Sequence, residues 1–386
     1  MKIAGFCSGH DAAYGILEDG VPEIHNELER FNRIKDAEGD SMELLFNTYE
    51  KFPVEIDYYT HCIGSKREDK YRESFEKCKI LGKEWIQPGH HQSHAANAFY
   101  SSEFKEALIV TIDGGGLDYS TIQEKHWRTC FTVWNGKDNK IEEVEIWDPN
   151  VLHLGGIWSG CTTRIFGLSH RSPSQQGTVM GMAALGDANK YIEHFKYMHV
   201  PNKGQKLPTA WKQLSELAKS DEQEMFHIAA ALQQSTEDVL KSVFDRLMEE
   251  HKPKNLCLSG GVSLNCVFAG KLFDWYPGIN VFCDPIPYDA GLALGAARYI
   301  YHDVLGNPRI YNSVQNATPY LGKTYSEKEI AQAVEDMWKE KKDNMVITTK
   351  DDDFIIEEMM NEKIISVFGG GSESGRRALG NRSILA

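Results

Sequence analysis

Leu108-Ile109-Val110-Thr111-Ile112-Asp113-Gly114-Gly115-Gly116 is an apolar, β-branched run that stops at an acid and three glycines. A buried strand ending in a small-residue loop is the direct reading, and such a strand end is where a carboxylate ligand and a phosphate cradle are expected together. Upstream, Gly89-His90-His91-Gln92-Ser93-His94 sets His90 and His94 four residues apart. On a helix both imidazoles then stand on one face, able to converge on one cation. His91 competes with His90 through its three-residue spacing to His94. An isolated histidine pair is more often an ordinary core or surface pair than a ligand set, and Asp113 with its glycines shifts that balance toward a metal.

The strand-loop pattern occurs twice. Met1 to Arg30 and Glu106 to Asp148 each begin with an apolar strand and enter a loop carrying an acid, Ser8-Gly9-His10-Asp11 in the first and Asp113-Gly114-Gly115-Gly116 in the second. Two further strands follow, joined at Glu18-Asp19-Gly20 and at Asn135-Gly136-Lys137-Asp138, both with hairpin chemistry. A duplicated α/β fold shows such a repeat, and the closest architecture is the two-lobed, actin-like ATPase (ribonuclease-H-like) fold. In that fold two related lobes face each other across a cleft, and hairpin loops hold the nucleotide phosphates. The expected division is an actin-like unit over 1–310, with lobes of about 1–105 and 106–310, followed over 311–386 by the start of a second α/β domain.

With 386 residues there is ample material for several domains and their cores. Acids outnumber bases 56 to 42 and no long basic run occurs, so composition disfavours a duplex nucleic acid partner. The eight cysteines are scattered, without a C-x-x-C pair, and read as reduced core thiols. The first residues form a short strand rather than a signal peptide, and no apolar run approaches the ~18 residues of a membrane span. A cytoplasmic location without membrane partners is the expectation.

Helical patterns cover Thr178 to Leu185, Asn189 to Tyr197 and Glu222 to Glu250, the last with Ile228, Leu232, Val239, Leu240, Phe244 and Leu247 as a core stripe. Asn255 to Asn265 reads as a strand, a glycine turn at Gly260-Gly261 and a helix start, a tight turn whose N–H groups can approach a phosphate or adenosine. Asp289 precedes a Gly/Ala-rich helix running to about Val304, and taken singly it reads as an ordinary N-cap. Gly306-Asn307-Pro308-Arg309 looks like a boundary. Beyond it come a helix over Ser326–Lys342, a strand over Met345–Thr349, a helix over Asp353–Glu362 and a strand over Ile364–Phe368. Then follows an arginine-bearing glycine loop, Gly369 to Ser383, whose composition suits an anion.

His10-Asp11-Ala12-Ala13, Glu29-Arg30-Phe31-Asn32-Arg33-Ile34-Lys35, the histidine segment, Asp113-Gly114-Gly115, Ser259-Gly260-Gly261-Val262-Ser263-Leu264-Asn265, Asp289-Ala290-Gly291 and Arg377-Ala378-Leu379-Gly380-Asn381-Arg382-Ser383 together resemble the O-carbamoyltransferases that decorate nodulation factors and antibiotics. The likeness covers nearly the whole chain. It implies an actin-like domain followed by a carbamoyl-adenylate-forming domain, using carbamoyl phosphate and ATP to carbamoylate a hydroxyl. His90, His94, Asp113 and Asp289 would be the metal ligands. Iron(II) is the family's metal, and zinc or manganese also suits two imidazoles with two carboxylates. His10 would be the general base, Lys35 would orient the carbamoyl group or neutralise the adenylate phosphate, and Gly114, Gly115, Ser259, Gly260, Gly261, Val262 and Asn265 would hold the adenylate. Glu373, Arg377 and Arg382 would lie on the carbamoyl-phosphate and ATP side.

Three positions depart from the family pattern. Asp36 follows Lys35 where histidine is common, Thr178 stands where lysine is usual, and Gly371 replaces an arginine ahead of Glu373. The family continues past the Arg382-to-Ala386 segment with basic residues, so 311–386 is expected to be a truncated beginning, and the 386 residues as a whole are expected to bind metal and adenine nucleotide but to form carbamoyl adenylate poorly. The implied partner is a small-molecule hydroxyl acceptor, a hydroxymethylated nucleotide among the options, with a homodimer as a compatible assembly. Competing functions are a tRNA threonylcarbamoyl-transfer enzyme, which shares the fold and the histidine pair, and a non-catalytic nucleotide-binding scaffold.

Overall fold

A computed structural model describes residues 1–49, 56–62, 76, 85–122, 124–170, 173–196, 207–340 and 352–385. Its first sheet contains β1 (Lys2–Cys7), β2 (Ala13–Glu18), β3 (Val21–Glu27), β4 (Tyr58–His61) and β5 (Trp85–Ile86), in the order β3-β2-β1-β4-β5. The second contains β6 (Glu106–Ser120), β7 (Lys125–Lys137), β8 (Lys140–Trp147), β9 (Asn255–Ser259) and β10 (Asn280–Cys283), in the order β8-β7-β6-β9-β10. Each sheet therefore has an antiparallel three-stranded meander, with two parallel strands added on the far side of its first strand. The same order twice in one chain is the duplicated, actin-like α/β fold.

Helices cover both faces of each sheet. They are α1 (Ser41–Thr48), α2 (His90–Ser101), α3 (Leu154–Arg164), α4 (Gln176–Ala183), α5 (Glu222–His251), α6 (Cys266–Trp275) and α7 (Leu292–Arg298). Alternation along β1 sends Ala4 and Phe6 toward Met42, Leu44 and Leu45 of α1, and Ile3 and Cys7 toward Leu292, Ala293 and Ala296 of α7. In β6, Leu108, Val110 and Ile112 face α5 and α6, while Ala107 and Ile109 face α2. The two central helices thus change sides: α2 follows the first sheet but packs on the second, and α7 follows the second sheet but packs on the first.

This crossing requires close backbone approach. A Cβ on Gly295 of α7 would lie 2.0 Å from the Ser93 carbonyl oxygen of α2, and one on Gly5 would lie 1.9 Å from the Ala293 carbonyl oxygen. Buried Arg298 pins the crossing by donating to Asn97 Oδ1, Ser101 Oγ and the Asn316 carbonyl.

Several local expectations change. The Asp113-Gly114-Gly115-Gly116 segment is not a terminating loop: β6 runs on to Ser120, with a register shift between Ile112 and Gly116. The extra residues bulge the strand and re-aim Asp113 without ending the pairing. The second hairpin turns at Asp138-Asn139, at the end of the expected Asn135–Asp138 stretch, since Lys137 pairs with Lys140 and Asp138 takes φ 51°. Gly136 instead makes room for Phe99, whose ring would lie 2.7 Å from a Cβ there.

The helix expected over Asn189–Tyr197 is broken into Ala188–Lys190 and Ile192–Phe195, and Tyr197 lies outside the described residues. Arg309 of the expected boundary is buried and donates to the carbonyls of Phe99, Ser102, Phe104 and Asp138, so this polar segment is fastened to the second lobe. Beyond it lie α8 (Glu327–Glu340), α9 (Asp352–Met360) and an antiparallel pair, β11 (Ile365–Phe368) and β12 (Arg382–Leu385). The Met345–Thr349 strand falls outside the described residues. Cys7, Cys62, Cys130, Cys161 and Cys257 are buried free thiols, whereas Cys266 is exposed.

Gly295→Ala forces a methyl group against the α2 backbone, where no flexible side chain can yield. It is expected to destabilise the chain by about 1–3 kcal/mol, as overpacking does, seen as a lower midpoint in urea unfolding. Gly270→Ala, where no atom lies within 4 Å of the added Cβ, is the matched control with little or no loss.

Candidate metal centre

The helix exchange brings four ligating side chains from three segments together. His90 and His94 stand one turn apart at the start of α2, Asp113 sits at the β6 bulge, and Asp289 lies in the turn before α7. One ligand atom from each lies within 4.8 Å of all the others. His90 Nε2 is 3.1 Å from Asp113 Oδ2 and 3.7 Å from Asp289 Oδ1, and His94 Nε2 is also 3.7 Å from Asp289 Oδ1. The ring centroids of the two histidines are 4.9 Å apart.

The backbone around Asp113 is built for its carboxylate. Gly261 N–H donates to Oδ1 at 2.9 Å and Gly115 N–H to Oδ2 at 3.3 Å. The Gly260-Gly261 turn thus supports the Asp113 carboxylate, with a backbone N–H that was expected to approach a phosphate or adenosine. A Cβ on Gly261 would lie 2.6 Å from that oxygen, and one on Gly116 would lie 2.1 Å from the His90 ring. At the other end, Asp118 Oδ1 accepts from Gln92 N–H at 3.1 Å, capping α2, whose N-cap is the side-chain-free Gly89. Asp118 lies too far along the sequence from α2 for any local capping motif to reveal it.

His91 is turned away. Its Nδ1 meets Thr111 Oγ1, which continues through Thr132 Oγ1 to Trp134 Nε1, and burial lowers its pKa to about 4. Geometry therefore selects His90 beside His94. His10, half exposed, places Nε2 2.8 Å from Asp289 Oδ2.

The donors fit a divalent cation. His94 is buried with neither ring nitrogen hydrogen-bonded, an arrangement that a ligand atom resolves and an apolar pocket does not. Asp113 and Asp289 are both buried, and burial and mutual repulsion each favour their neutral forms. The facing imidazoles outweigh this and hold both carboxyls below the usual range. Burial opposes charge on His90, but Asp289 and Asp113 outweigh it and raise its pKa to about 9. A proton on His90 thus stands where a cation would stand. In the other grouping of acids and histidine among the described residues, Glu145, Glu250 and His251, both carboxylates are already paired with the Arg246 guanidinium.

The remaining candidates lie at various depths. Gly114 is open, and its carbonyl is 3.1 Å from His153 Nε2. Ser259 Oγ donates to buried Asp284, and Val262 is buried. The Asn265 amide caps α6 at Phe268 N–H and pairs with Gln233. Exposed Lys35 reaches the Ser174 carbonyl at 3.4 Å. Glu373 accepts from the Leu379 and Arg382 N–H groups, Arg377 donates to the Leu264 carbonyl, and Arg382 grips the carbonyls of Gly369, Gly370 and Asn381. Glu373 and Arg382 are occupied in shaping their own loop, whereas Arg377 reaches the second lobe. Arg376 of the same loop is ion-paired with Asp11, next to His10.

His94→Ala is expected to abolish stoichiometric binding of a divalent cation, read by elemental analysis after dialysis, while the fold persists by circular dichroism. In the metal-free chain the folded pKa of His90 lies above its unfolded value of ~6.5. Its ion pairs therefore stabilise fully below that value and are lost as pH rises through about 9. The melting temperature should fall across that window in the wild type and stay flatter in His90→Asn, and cation uptake at pH 7 should release about one proton per ion.

Comparison with known proteins places these features in a family. The Carbamoyltransferase N-terminus family model matches residues 38–298. Protein sll1178 of Synechocystis sp. is 30% identical over 327 residues, covering 77% of this chain and 49% of its own length. MJ1051 of Methanocaldococcus jannaschii is 26% identical over 403 residues, covering 100% of this chain and 73% of its own. Nodulation protein NolO of Bradyrhizobium diazoefficiens is 30% identical over 312 residues, covering 77% and 53%. The chain thus spans about half the length of two of these relatives. Among solved structures, full-length HypF in a phosphate- and nucleotide-bound form aligns with a TM-score of 0.48 at 14% identity, over 79% of this chain and 46% of that one. With a family match across most of its length, the chain belongs to the carbamoyltransferase family, matching its N-terminal domain.

Proposed function

We propose that this protein transfers a carbamoyl group from carbamoyl phosphate, by way of an ATP-derived carbamoyl adenylate, to the hydroxyl of a small-molecule or nucleotide acceptor. The observation that carries the reading is the convergence of His90, His94, Asp113 and Asp289, with His10 directly on Asp289. Family membership supports carbamoyl as the group transferred. His90, His94, Asp113 and Asp289 would hold iron(II), with zinc or manganese as chemical alternatives. Bound there, the cation supplies Lewis-acid stabilisation of charge on carbamoyl or phosphate oxygens.

The chain's own residues do the rest. Asp289 Oδ2, 2.8 Å from His10 Nε2, orients the imidazole that takes the acceptor's hydroxyl proton, and the same carboxylate stabilises the imidazolium that forms. The acceptor oxygen forms a bond to the carbamoyl carbon, the bond from that carbon to the adenylate phosphate oxygen breaks, and AMP leaves. Lys35, exposed and reaching across to the Ser174 carbonyl, is suited to the phosphate or the carbamoyl oxygen. Glycines at 114, 115, 260 and 261, with Ser259, Val262 and Asn265, form the second lobe's wall for the adenylate, whereas Glu373, Arg377 and Arg382 belong to adenylate formation. No helix among the described residues is long and apolar enough to cross a membrane, and a cytoplasmic setting is part of the proposal. A homodimer is compatible with it.

The transfer half-reaction tests this reading. The metal-loaded chain is incubated with carbamoyl adenylate and a panel of hydroxyl acceptors, and mass spectrometry follows one carbamoyl increment on an acceptor with equimolar AMP. His10→Asn should lower the rate by roughly 10²- to 10⁴-fold, the usual contribution of a general base, while the cation is retained. An acceptor-independent release of AMP, or a rate indifferent to His10, contradicts the proposal.

A further inference from the structure

Arg376 reaches back across nearly the whole chain. Its Nη2 lies 2.6 Å from Asp11 Oδ1 and 2.7 Å from Asp36 Oδ1, its Nη1 donates to Ser174 Oγ, and its guanidinium stacks 4.5 Å from the Tyr288 ring centroid. Four segments therefore meet on one side chain: the turn carrying His10, the turn carrying Lys35, the second-lobe stretch between α3 and α4, and the residue before Asp289. Asp36 reinforces this by accepting from Ser174 N–H, so first-lobe and second-lobe loops are joined at the same point.

Both gripping carboxylates sit on strained backbone. Asp11 and Asp36 each have φ 56°, in the left-handed region that few residues other than glycine adopt. Such turns persist where surrounding contacts over-determine them. A guanidinium is suited to the task, because its planar donor fork serves several acceptors in fixed geometry. Asp36, moreover, stands where the resembled family commonly has histidine, so the pairing is not one that the resemblance foretells.

Neighbours of Arg376 act on the same spot. Ser374 Oγ is 2.9 Å from His25 Nδ1, and His25 Nε2 donates to the Ala290 carbonyl at 2.8 Å. Gly375 N–H donates to Glu27 Oε1, while Glu27 Oε2 accepts from Tyr288 O–H. The two residues that flank Asp289 are thus both held by the 374–376 loop.

We propose that Arg376 is a positioning residue, which fixes the His10 and Lys35 turns relative to Asp289 by holding Asp11 and Asp36 against the second lobe. It touches no reacting atom and acts through those two carboxylates. The proposal goes beyond the transfer reaction, since it holds whichever group the site moves.

Hydrogen exchange with mass spectrometry on the full chain, compared among wild type, Arg376→Gln, Asp36→Asn and the double variant, tests it. Arg376→Gln should speed exchange at residues 9–12, 34–38 and 173–176 by about tenfold or more, while β1, β6 and β9 keep their protection. The double variant should add little at 34–38 and 173–176, because both changes remove one interaction. The ring ¹⁵N signals of His10 should shift in Arg376→Gln. Unchanged exchange, an equal rise throughout the sheets, fully additive effects or an unmoved His10 signal would each overturn it. Should Arg376→Gln not fold, Asp36→Asn alone decides, by the same local pattern at 34–38 and 173–176.

Discussion

Two buried carboxylates, Asp113 and Asp289, face each other within 4.8 Å, and the rest of the molecule is arranged around keeping both of them charged. At that separation their repulsion is roughly 3–4 kcal/mol for an effective dielectric of ~20, more than a surface ion pair returns. His90, His10 and the Gly261 N–H offset part of it. A divalent cation at the same point would offset the remainder and would also engage the buried His94 ring, neither of whose nitrogens is hydrogen-bonded. Removal of any one of these groups leaves uncompensated charge in a site with little water.

The fold makes this meeting possible by exchanging its central helices. If α2 packed on its own sheet, the histidines would stand a lobe away from Asp113, and if α7 did the same, Asp289 would never reach them. Small residues at the crossing, Gly5 and Gly295 above all, bring backbones close enough for side chains at the helix starts to touch. Packing and chemistry are therefore one problem here. The bulge after Ile112 works in the same direction, turning Asp113 inward while β6 and β7 continue beyond it to place Asp118 at the start of α2.

Much of this was legible in local sequence patterns. The repeated strand-loop-meander showed the duplicated fold, and the spacing of His90 and His94 showed a helix face because helical period is a local property. Asp289 is different: by spacing it reads as an N-cap, and only the family resemblance made it a candidate ligand. The glycines at 114–116 were misjudged as a loop because a bulge and a loop share the same residues, and only strand pairing separates them. Gly136 looked like a turn residue but serves the Phe99 ring, a contact made by tertiary packing. Asp118 and Arg376 carried no local signal, since their partners lie in distant parts of the chain. Roles for individual residues in catalysis rest on the proposal rather than on these patterns.

The position of a bound cation shows whether these four side chains act together. Crystals of the cobalt(II)-loaded chain, measured on both sides of the cobalt absorption edge, should give one strong anomalous peak bounded by His90 Nε2, His94 Nε2 and the carboxylates of Asp113 and Asp289. A peak elsewhere, or none at these four side chains in fully loaded protein, would contradict the account.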